Sequence, residues 1–472
     1  MIIRPSLLQH WRVLANASPL LSAWIAFATY SMIAALFVQF VVLPEWLPGM
    51  HAGFGLLANS DAVGYHQIAA DFAARMNAGS WWDWVPTPDG QSAAGLAAPF
   101  YAAFGPRPWV LIPVNASLHA TAGALVIALL RLTGMRWRFA IAGGTLWVIM
   151  PSSLQWVAQI QKDGYFFAGM LASLLAWTKL LALAVGYHHG KCGWGPLMRS
   201  TALLAAGIAC VALSRVYGVL LLQIAGCAIA AAALIEAVRR GLQPTNCPPS
   251  RIAALLLIIV LPWMLSFSRS DNRLQAEPPA VHSPAATGRN DAETILLRQW
   301  QRSGWLPEFA ERTLLRLCIA RQGFVMAPYR GAGSTLDADE SFANAVDVIR
   351  YIPRAVQIGF FAPFPNQWFE PGTSTGGSIM RRVAAVEMTV IYLTILLGLP
   401  LAVSLWWKTP WFWLTMGFCF LIVVTDAYAI PNVGTLYRLR YGFLMTIAGF
   451  GLAAILTYAE RARAQRELSV QE

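Results

Sequence analysis

The chain contains 472 residues, of which 57% are hydrophobic and only 12% are charged, and its formal net charge is +11. A soluble domain carries about twice that charged fraction. Because the mean hydropathy is +0.52 and the apolar residues form long runs, the composition excludes a disordered chain, a secreted disulfide scaffold and a cytosolic enzyme. It predicts an all-α, polytopic integral membrane protein.

A helix needs about 20 mostly apolar residues to cross the hydrocarbon core of a bilayer. About ten runs meet this requirement, at 20–43, 108–130, 138–157, 165–187, 200–214, 217–238, 252–268, 384–407, 410–429 and 441–459. The first run is too long for the apolar region of a signal peptide, so we expect it to be retained. The stretch 200–238 is compatible with one long kinked helix or with two shorter helices that meet at Arg215.

Basic residues in the short connections indicate the orientation of these spans. They concentrate on alternate connections and at both ends of the chain: Arg4, Arg12, Arg131, Arg136, Arg138, Lys191, Arg199, Arg239, Arg240, Arg251, Lys408, Arg461, Arg463 and Arg466. This pattern predicts that both termini are cytoplasmic, and a bacterial inner membrane is the expected location. The basic surplus is then explained by topology and by contacts with membrane lipids, so binding to nucleic acid is not expected.

The predicted topology divides the chain into three parts. An N-terminal transmembrane module covers 1–268 and includes a large first outer loop at 44–107. An outer, periplasmic segment covers 269–383, and a C-terminal transmembrane module with a cytoplasmic tail covers 384–472. A site formed by the outer segments would therefore face the periplasm.

The first outer loop contains a candidate catalytic carboxylate. Tyr65, Ile68, Phe72 and Met76 recur at helical spacing, which predicts an amphipathic helix over 62–77 at the membrane interface, with Asp61 at its start. Asp61 is either a helix cap or a general base held at the membrane surface. The neighbouring Tyr65 and His66 are candidate substrate-binding residues.

A second candidate lies between the third and fourth spans, where Lys162 and Asp163 stand within two residues of apolar helix. Ionisable groups at such positions are costly and often functional. Lys162 also lies on the outer side, against the orientation bias of the other basic residues. The alternative is an interfacial anchor in which Asp163 caps the fourth span.

Arginines form the remaining candidates. Arg438 and Arg440 are expected on the outer side just before the last span. Basic residues that only anchor a helix are commoner on the cytoplasmic side, so an anionic partner would explain this pair better. A planar guanidinium can bind phosphate through two parallel hydrogen bonds. Binding to lipid headgroups is the alternative. Arg215 is a weaker candidate because a packed polar kink explains it almost as well, and Tyr441 is a candidate substrate-binding residue.

One chemistry uses all these groups. Transfer of a sugar from a lipid phosphate to an acceptor hydroxyl needs a base beside the hydroxyl, which a loop carboxylate can supply. The leaving phosphate gains charge as the glycosidic bond breaks, and fixed cations stabilise it. The residues therefore fit a donor in which a sugar is linked to a lipid phosphate, and an acceptor that offers a hydroxyl.

The order of these motifs resembles the GT-C superfamily of membrane glycosyltransferases, in particular its protein O-mannosyltransferase and aminoarabinose-transferase branch. The resemblance covers about 55–180 and returns at 430–445. It is carried by Asp61-Ala-Val-Gly-Tyr65 with Gln67-Ile-Ala-Ala, Phe104-Gly-Pro-Arg-Pro-Trp109 leading to Asn115, Pro151 with Gln161-Lys-Asp163, and Arg438-Leu-Arg-Tyr441.

The resemblance implies a role for each candidate residue. Asp61 would be the catalytic base and Asp163 the second outer-loop acid close to it. Lys162, Arg438 and Arg440, with Arg215 as a further candidate, would bind the donor phosphate. The donor would be a polyprenyl-phosphate-linked sugar and the acceptor a glycan, a lipid or a protein. The reaction would invert the anomeric centre.

Two other functions fit parts of the same pattern. A polymerase or ligase that uses a polyprenyl-pyrophosphate oligosaccharide would need outer arginines but no carboxylate at position 61. A lipid-linked sugar flippase would place its polar residues at mid-bilayer, with broken helices and internal repeats. No cofactor is expected, because the sequence shows no metal motif, although a divalent metal stays open.

Overall fold

The computed structural model of the protein describes residues 16–185, 194–239, 249–270, 299–326, 335–372 and 375–471. Eight helices in this part of the chain are long and apolar enough to cross a membrane. The described residues contain no β-strand, and their only bridges are isolated pairs. The predicted all-α class of a membrane protein is therefore confirmed.

The main helices of the N-terminal half are α1 (Pro19–Phe37), α2 (Asp61–Ala78), α3 (Ser92–Phe104), α4 (Ile112–Leu132), α5 (Trp137–Ile149), α6 (Pro151–Ala158), α7 (Asp163–Val185), α8 (Trp194–Ser214), α9 (Val216–Arg239) and α10 (Pro249–Ser270). Those of the C-terminal half are α11 (Glu308–Met326), α12 (Ala345–Arg350), α13 (Ile352–Phe361), α14 (Thr375–Leu393), α15 (Leu399–Trp406), α16 (Pro410–Ala429) and α17 (Val433–Gln471). Helix α1 continues as a π-helix, Val38–Trp46, and a second π-helix, Thr394–Gly398, follows α14.

Two of the ten predicted spans are not among the eight long apolar helices. The run at 138–157 breaks at Met150, which is extended, and Pro151 starts α6. Proline lacks the N–H that a continuous helix needs and clashes with the preceding turn, which explains the break. The run at 252–268 lies in α10, whose apolar part is described as the shorter stretch Pro249–Ile258. The ambiguous stretch 200–238 forms two helices, α8 and α9, with Arg215 between them.

The chain folds into two compact units, and the predicted module 384–472 is split between them. Unit 1 comprises Met1–Glu277, Pro400–Phe418 and Gly449–Glu472, and unit 2 comprises Pro278–Leu399 and Cys419–Ala448.

Within unit 1, α7 is almost entirely buried and packs closely on α8. A Cβ atom on Gly207 would lie 2.8 Å from the carbonyl oxygen of Gly169, so small residues are required where these two helices meet.

Unit 2 has its own apolar core, which contains aromatic rings from three parts of the chain. The rings of Phe342 and Tyr351 are 5.2 Å apart, and those of Tyr351 and Tyr428 are 5.5 Å apart. The buried guanidinium of Arg321 lies over Phe342 and Tyr351 and donates to the carbonyl oxygens of Tyr428 and Asp337. These contacts attach helix α11 to the end of α16 within this unit.

Candidate functional site

Helix α2 holds Asp61 as its first residue. The predicted helix over 62–77 is present, and it runs from Asp61 to Ala78. Ser60 precedes it in an extended conformation, and its hydroxyl donates to the carbonyl oxygen of Leu57. Asp61 is exposed, whereas Phe72 and Met76 on the same helix are buried against Ala98 of α3. The apolar face of α2 therefore packs on a second helix of the loop, and this contact leaves the carboxylate at the accessible end.

The two candidates that follow Asp61 differ in their surroundings. The Nδ1 atom of His66 lies 2.8 Å from the hydroxyl of Tyr101 on α3, and the ring of Phe54 lies 5.6 Å from the imidazole. Partial burial lowers the pKa of His66. The imidazole thus contacts residues of its own loop, while Tyr65 lies one helical turn after Asp61, on the same face.

Three amide side chains fix the base of this loop to the chain that precedes Lys162. Gln159 accepts a hydrogen bond from the N–H of Leu57 at 2.9 Å and donates to the carbonyl oxygen of Gly55 at 3.0 Å. Gln39 donates to the carbonyl oxygen of Ala158, and Asn115 donates to that of Gln159. These bonds satisfy backbone groups that the break between α6 and α7 leaves outside any helix.

Asp163 forms a buried ion pair with Arg215. The Nη2 atom of Arg215 lies 2.6 Å from Oδ1 of Asp163, and the two side chains are 10% and 0% exposed. Asp163 is the first residue of α7, while Arg215 separates α8 from α9. The phenyl ring of Phe166 lies 5.7 Å from the guanidinium. Asp163 thus starts a helix, as the anchor interpretation expected, and it also neutralises a buried cation, which the sequence analysis did not predict.

The first outer loop also contacts the break at Arg215. The hydroxyl of Ser92, at the start of α3, donates to the carbonyl oxygen of Ser214 at 2.8 Å. A Cβ atom on Gly218 would lie 2.7 Å from the Phe166 ring, so the chain approaches this site closely just after the break. Unit 1 thus places Asp61, Tyr65, Asp163 and Arg215 on segments that contact one another.

Lys162 stands immediately before the buried pair and is partly exposed. Its carbonyl oxygen accepts the hydrogen bond from the N–H of Phe166 at 3.2 Å, which makes it the residue that precedes α7. An ammonium on a long flexible stem at this position suits an anionic ligand better than the buried Arg215 does.

In unit 2, the predicted arginine pair lies inside a helix rather than in a connection. Helix α17 begins at Val433, eight residues before the predicted span, because the side chain of Asn432 accepts a hydrogen bond from the N–H of Thr435 at 3.0 Å. This cap was available in the sequence and was missed. Arg438 is partly exposed on the second turn.

Arg440 is placed differently from the prediction. Its side chain has no exposed surface, and its guanidinium donates to the carbonyl oxygens of Ile358, Gly359 and Ala362 at the end of α13. The carbonyl oxygen of Ile358 also accepts from the N–H of Ala362, whereas Gly359 and Ala362 lie at the very end of the helix, where carbonyls lack a helical donor and a cation is attracted. The geometry therefore favours a structural role over phosphate binding. Tyr441 is only 2% exposed and is likewise buried in this unit.

The sequence analysis missed buried acids of unit 2, among them Glu387. Glu387 of α14 is 1% exposed, and its carboxylate accepts a hydrogen bond from the hydroxyl of Tyr437 on α17. A carboxylate inside an apolar helix is a signal that the sequence did contain. Among the described residues, no three His, Cys, Asp or Glu side chains are grouped in a way that could hold a metal ion.

Comparison with known proteins gave one structural similarity. No family model matches the chain, and no curated protein matches it. The structure is similar to the crystal structure of ArnT from Cupriavidus metallidurans bound to undecaprenyl phosphate, with 14% sequence identity and a TM-score of 0.35 over 93% of this chain and 78% of that one. A similarity of this extent identifies neither a family nor a substrate.

Proposed function

We propose that the protein is a GT-C-type membrane glycosyltransferase, which moves a sugar from a polyprenyl-phosphate-linked donor to an acceptor hydroxyl. The observation that carries the proposal is the attachment of the Asp61 loop to the two connections of unit 1 that hold Asp163 and Arg215. The hydrogen bonds of Gln159 and Ser92 hold the loop, with its exposed carboxylate, against the segment that supplies the partly exposed Lys162 and against the buried Asp163–Arg215 pair. Such preorganised charge is what acyl or glycosyl transfer requires.

Asp61 serves as the general base in this proposal. It takes the proton of the acceptor hydroxyl while the acceptor oxygen attacks the anomeric carbon of the sugar. The bond between that carbon and the phosphate oxygen breaks, and its electron pair leaves with the polyprenyl phosphate. Attack opposite the leaving group inverts the anomeric centre. Tyr65, one turn from Asp61, would contact the substrate.

Lys162 binds the donor phosphate in this scheme, and the Asp163–Arg215 pair is a positioning element. The pair is buried and neutral as a whole, so it contributes shape and rigidity at the start of α7 rather than charge for the substrate. Arg438 stays a candidate phosphate ligand because it is partly exposed, whereas the donors of Arg440 are occupied by carbonyl oxygens. The membrane lipids and an acceptor glycan, lipid or protein would complete the partners, on the periplasmic side of a bacterial inner membrane.

The test is sugar transfer by purified full-length protein in lipid nanodiscs, with a panel of synthetic polyprenyl-phosphate sugars and detection of released polyprenyl phosphate. Asp61→Asn keeps the size of the side chain and removes the base. We expect turnover to fall by about 10²–10⁴-fold with donor binding intact, because general-base catalysis contributes about that much.

Asp71→Asn is the matched control, since Asp71 is an exposed acid on the same helix. Its turnover should equal that of the wild type. Turnover of Asp61→Asn within about twofold of the wild type would remove the base role. Transport of the lipid-linked sugar that continues without Asp61 would favour the flippase, and activity on a polyprenyl-pyrophosphate oligosaccharide alone would favour the polymerase or ligase.

A further inference from the structure

Unit 2 contains an open cavity of about 370 Å³ that none of the proposed catalytic residues lines. Its walls come from the chain before α11 and from the region around α12, and they include Arg302, Ser303, Trp305, Asn344 and Arg350. The volume is in the range of small-ligand sites. The lining contains two guanidinium groups, one indole, one carboxylate and three neutral hydrogen-bonding side chains.

Hydrogen bonds hold the two walls of this cavity together. The N–H of Gln301 donates to the carbonyl oxygen of Ala343 at 2.8 Å, which joins one wall to the other. On the first wall, the buried carboxylate of Glu311 accepts from the N–H of Ser303 at 2.7 Å and from the indole of Trp300 at 2.8 Å. The cavity is therefore lined by backbone that is fixed before any ligand arrives.

The second wall is fixed in the same way. The side chain of Asn344 accepts hydrogen bonds from the N–H groups of Val346 and Asp347. The carboxylate of Asp347, the one acid among the lining residues, accepts from the N–H of Ala343 at 3.0 Å. Two arginines against this one acid leave the lining with a net positive charge.

The chemistry of the lining selects a class of ligand. Guanidinium groups bind carboxylate or phosphate through two parallel hydrogen bonds. The indole of Trp305 is 60% exposed and offers a flat apolar face, on which the C–H face of a sugar ring can lie. Ser303 and Asn344 supply hydrogen bonds of the kind that sugar hydroxyls make. We propose that this cavity binds a saccharide that carries a carboxylate or a phosphate.

This site goes beyond the proposed transfer reaction and does not depend on it. If the protein transfers sugars, the cavity would hold an acidic sugar of the acceptor, which narrows the acceptor to an anionic glycan or glycolipid. Binding is measured without turnover, so a failure of this proposal and a failure of the proposed function give different results.

The experiment is a calorimetric titration of full-length protein in nanodiscs made of a zwitterionic lipid. The probes are glucuronic acid, glucose 1-phosphate, glucose and inorganic phosphate. We expect both acidic sugars to bind at least about tenfold more tightly than glucose and than inorganic phosphate, since the site rewards the ring and the charge together.

Variants locate the binding in the cavity. Arg302→Gln combined with Arg350→Gln should weaken binding of the acidic sugars by about tenfold or more, and Trp305→Ala should weaken binding of both acidic sugars and of glucose. Arg312→Gln is the control, because Arg312 is exposed and pairs with Glu308 outside the cavity.

Three results would overturn the proposal. The first is that no acidic sugar binds at millimolar concentration, and the second is that inorganic phosphate binds as tightly as glucose 1-phosphate. The third is that Arg312→Gln loses as much affinity for the acidic sugars as the double variant of Arg302 and Arg350 does. Loss of acidic-sugar binding when anionic lipid replaces part of the zwitterionic lipid would instead assign the arginines to the membrane surface.

Discussion

Arg215 of unit 1 and Arg440 of unit 2 are both buried, and they are neutralised in different ways. In unit 1, Arg215 pairs with the carboxylate of Asp163, which lies 52 residues earlier in the chain. In unit 2, Arg440 donates to backbone carbonyl oxygens from Ile358 to Ala362. The first arrangement cancels the charge with another charge, and the second surrounds it with dipoles at the end of a helix.

The difference separates two kinds of buried cation that have the same appearance in a sequence. A buried ion pair fails when one member is removed, because the other is left as an uncompensated charge. Removing a guanidinium that is bound to carbonyl oxygens lowers the stability of the fold because several acceptors lose a donor at once. The loss of the buried charge removes a desolvation cost and so offsets part of this effect. Variants of the two sites should therefore respond differently to charge and to shape.

The largest effect is expected from Asp163→Asn. The substitution leaves Arg215 charged and buried, which should lower the free energy of unfolding by about 3–5 kcal/mol. The double variant Asp163→Leu with Arg215→Met removes both charges and keeps apolar volume, so it should regain most of that loss. Chemical unfolding in mixed micelles measures both changes.

The same double variant distinguishes positioning from structure alone. If the pair orients the start of α7 for catalysis, the regained stability should not be matched by regained turnover in the donor assay. Arg215→Met that is as stable as the double variant would contradict the ion-pair account, since Asp163 would then tolerate burial without a cation.

A smaller loss, about 2–3 kcal/mol, is expected from Arg440→Met. The three carbonyl oxygens at the end of α13 lose the guanidinium, although that of Ile358 keeps the N–H of Ala362, and removal of the buried charge offsets part of the cost. Arg440→Lys keeps the charge, but one ammonium lacks the planar fork that reaches separate acceptors, so its stability should be intermediate.

Arg438→Met is the control for this site, because Arg438 is partly exposed on the same helix. Its stability should change less than that of Arg440→Met. Equal stability of Arg440→Lys and the wild type would show that charge alone, and not the geometry of the guanidinium, holds the end of α13.

These contrasts also explain how far the sequence could lead. Apolar runs and helical spacing were sufficient to predict the membrane helices and the helix that starts at Asp61, since both depend on side chains close together in the chain. They were insufficient to predict the acceptors of Arg440, which are carbonyl oxygens about 80 residues away and have no sequence signature. The loop contacts of Gln159 are hidden for the same reason, because their partners are the backbone of Gly55 and Leu57.

The smallest effect concerns a third arginine, which is neither fully buried nor fully exposed. Arg354 of unit 2 binds both carboxylate oxygens of Asp337, at 2.8 Å and 2.9 Å, and the two side chains are 37% and 18% exposed. These hydrogen bonds, which outweigh partial burial, and a further one from Tyr351 lower the pKa of Asp337 below its ordinary value of 3.8. Because solvent screens the pair, Asp337→Asn should cost only about 1 kcal/mol at neutral pH.

The pH dependence of that cost tests whether the charge carries it. A carboxylate whose pKa is lowered by folding contributes stability that is complete above its unfolded pKa and disappears as the pH falls through its folded pKa. The difference in unfolding free energy between the wild type and Asp337→Asn should therefore be constant from about pH 7 to pH 5 and shrink below about pH 4.

Asp337 has a positive φ of 49°, which asparagine also tolerates, so the backbone is preserved. Asp339→Asn, at an exposed acid nearby, should show no such change. If the difference in unfolding free energy between the wild type and Asp337→Asn is the same at pH 3 and pH 7, the shape of the side chain, and not its charge, stabilises the contact with Arg354. The Asp337 oxygens would then act as neutral acceptors, as the carbonyl oxygens around Arg440 are.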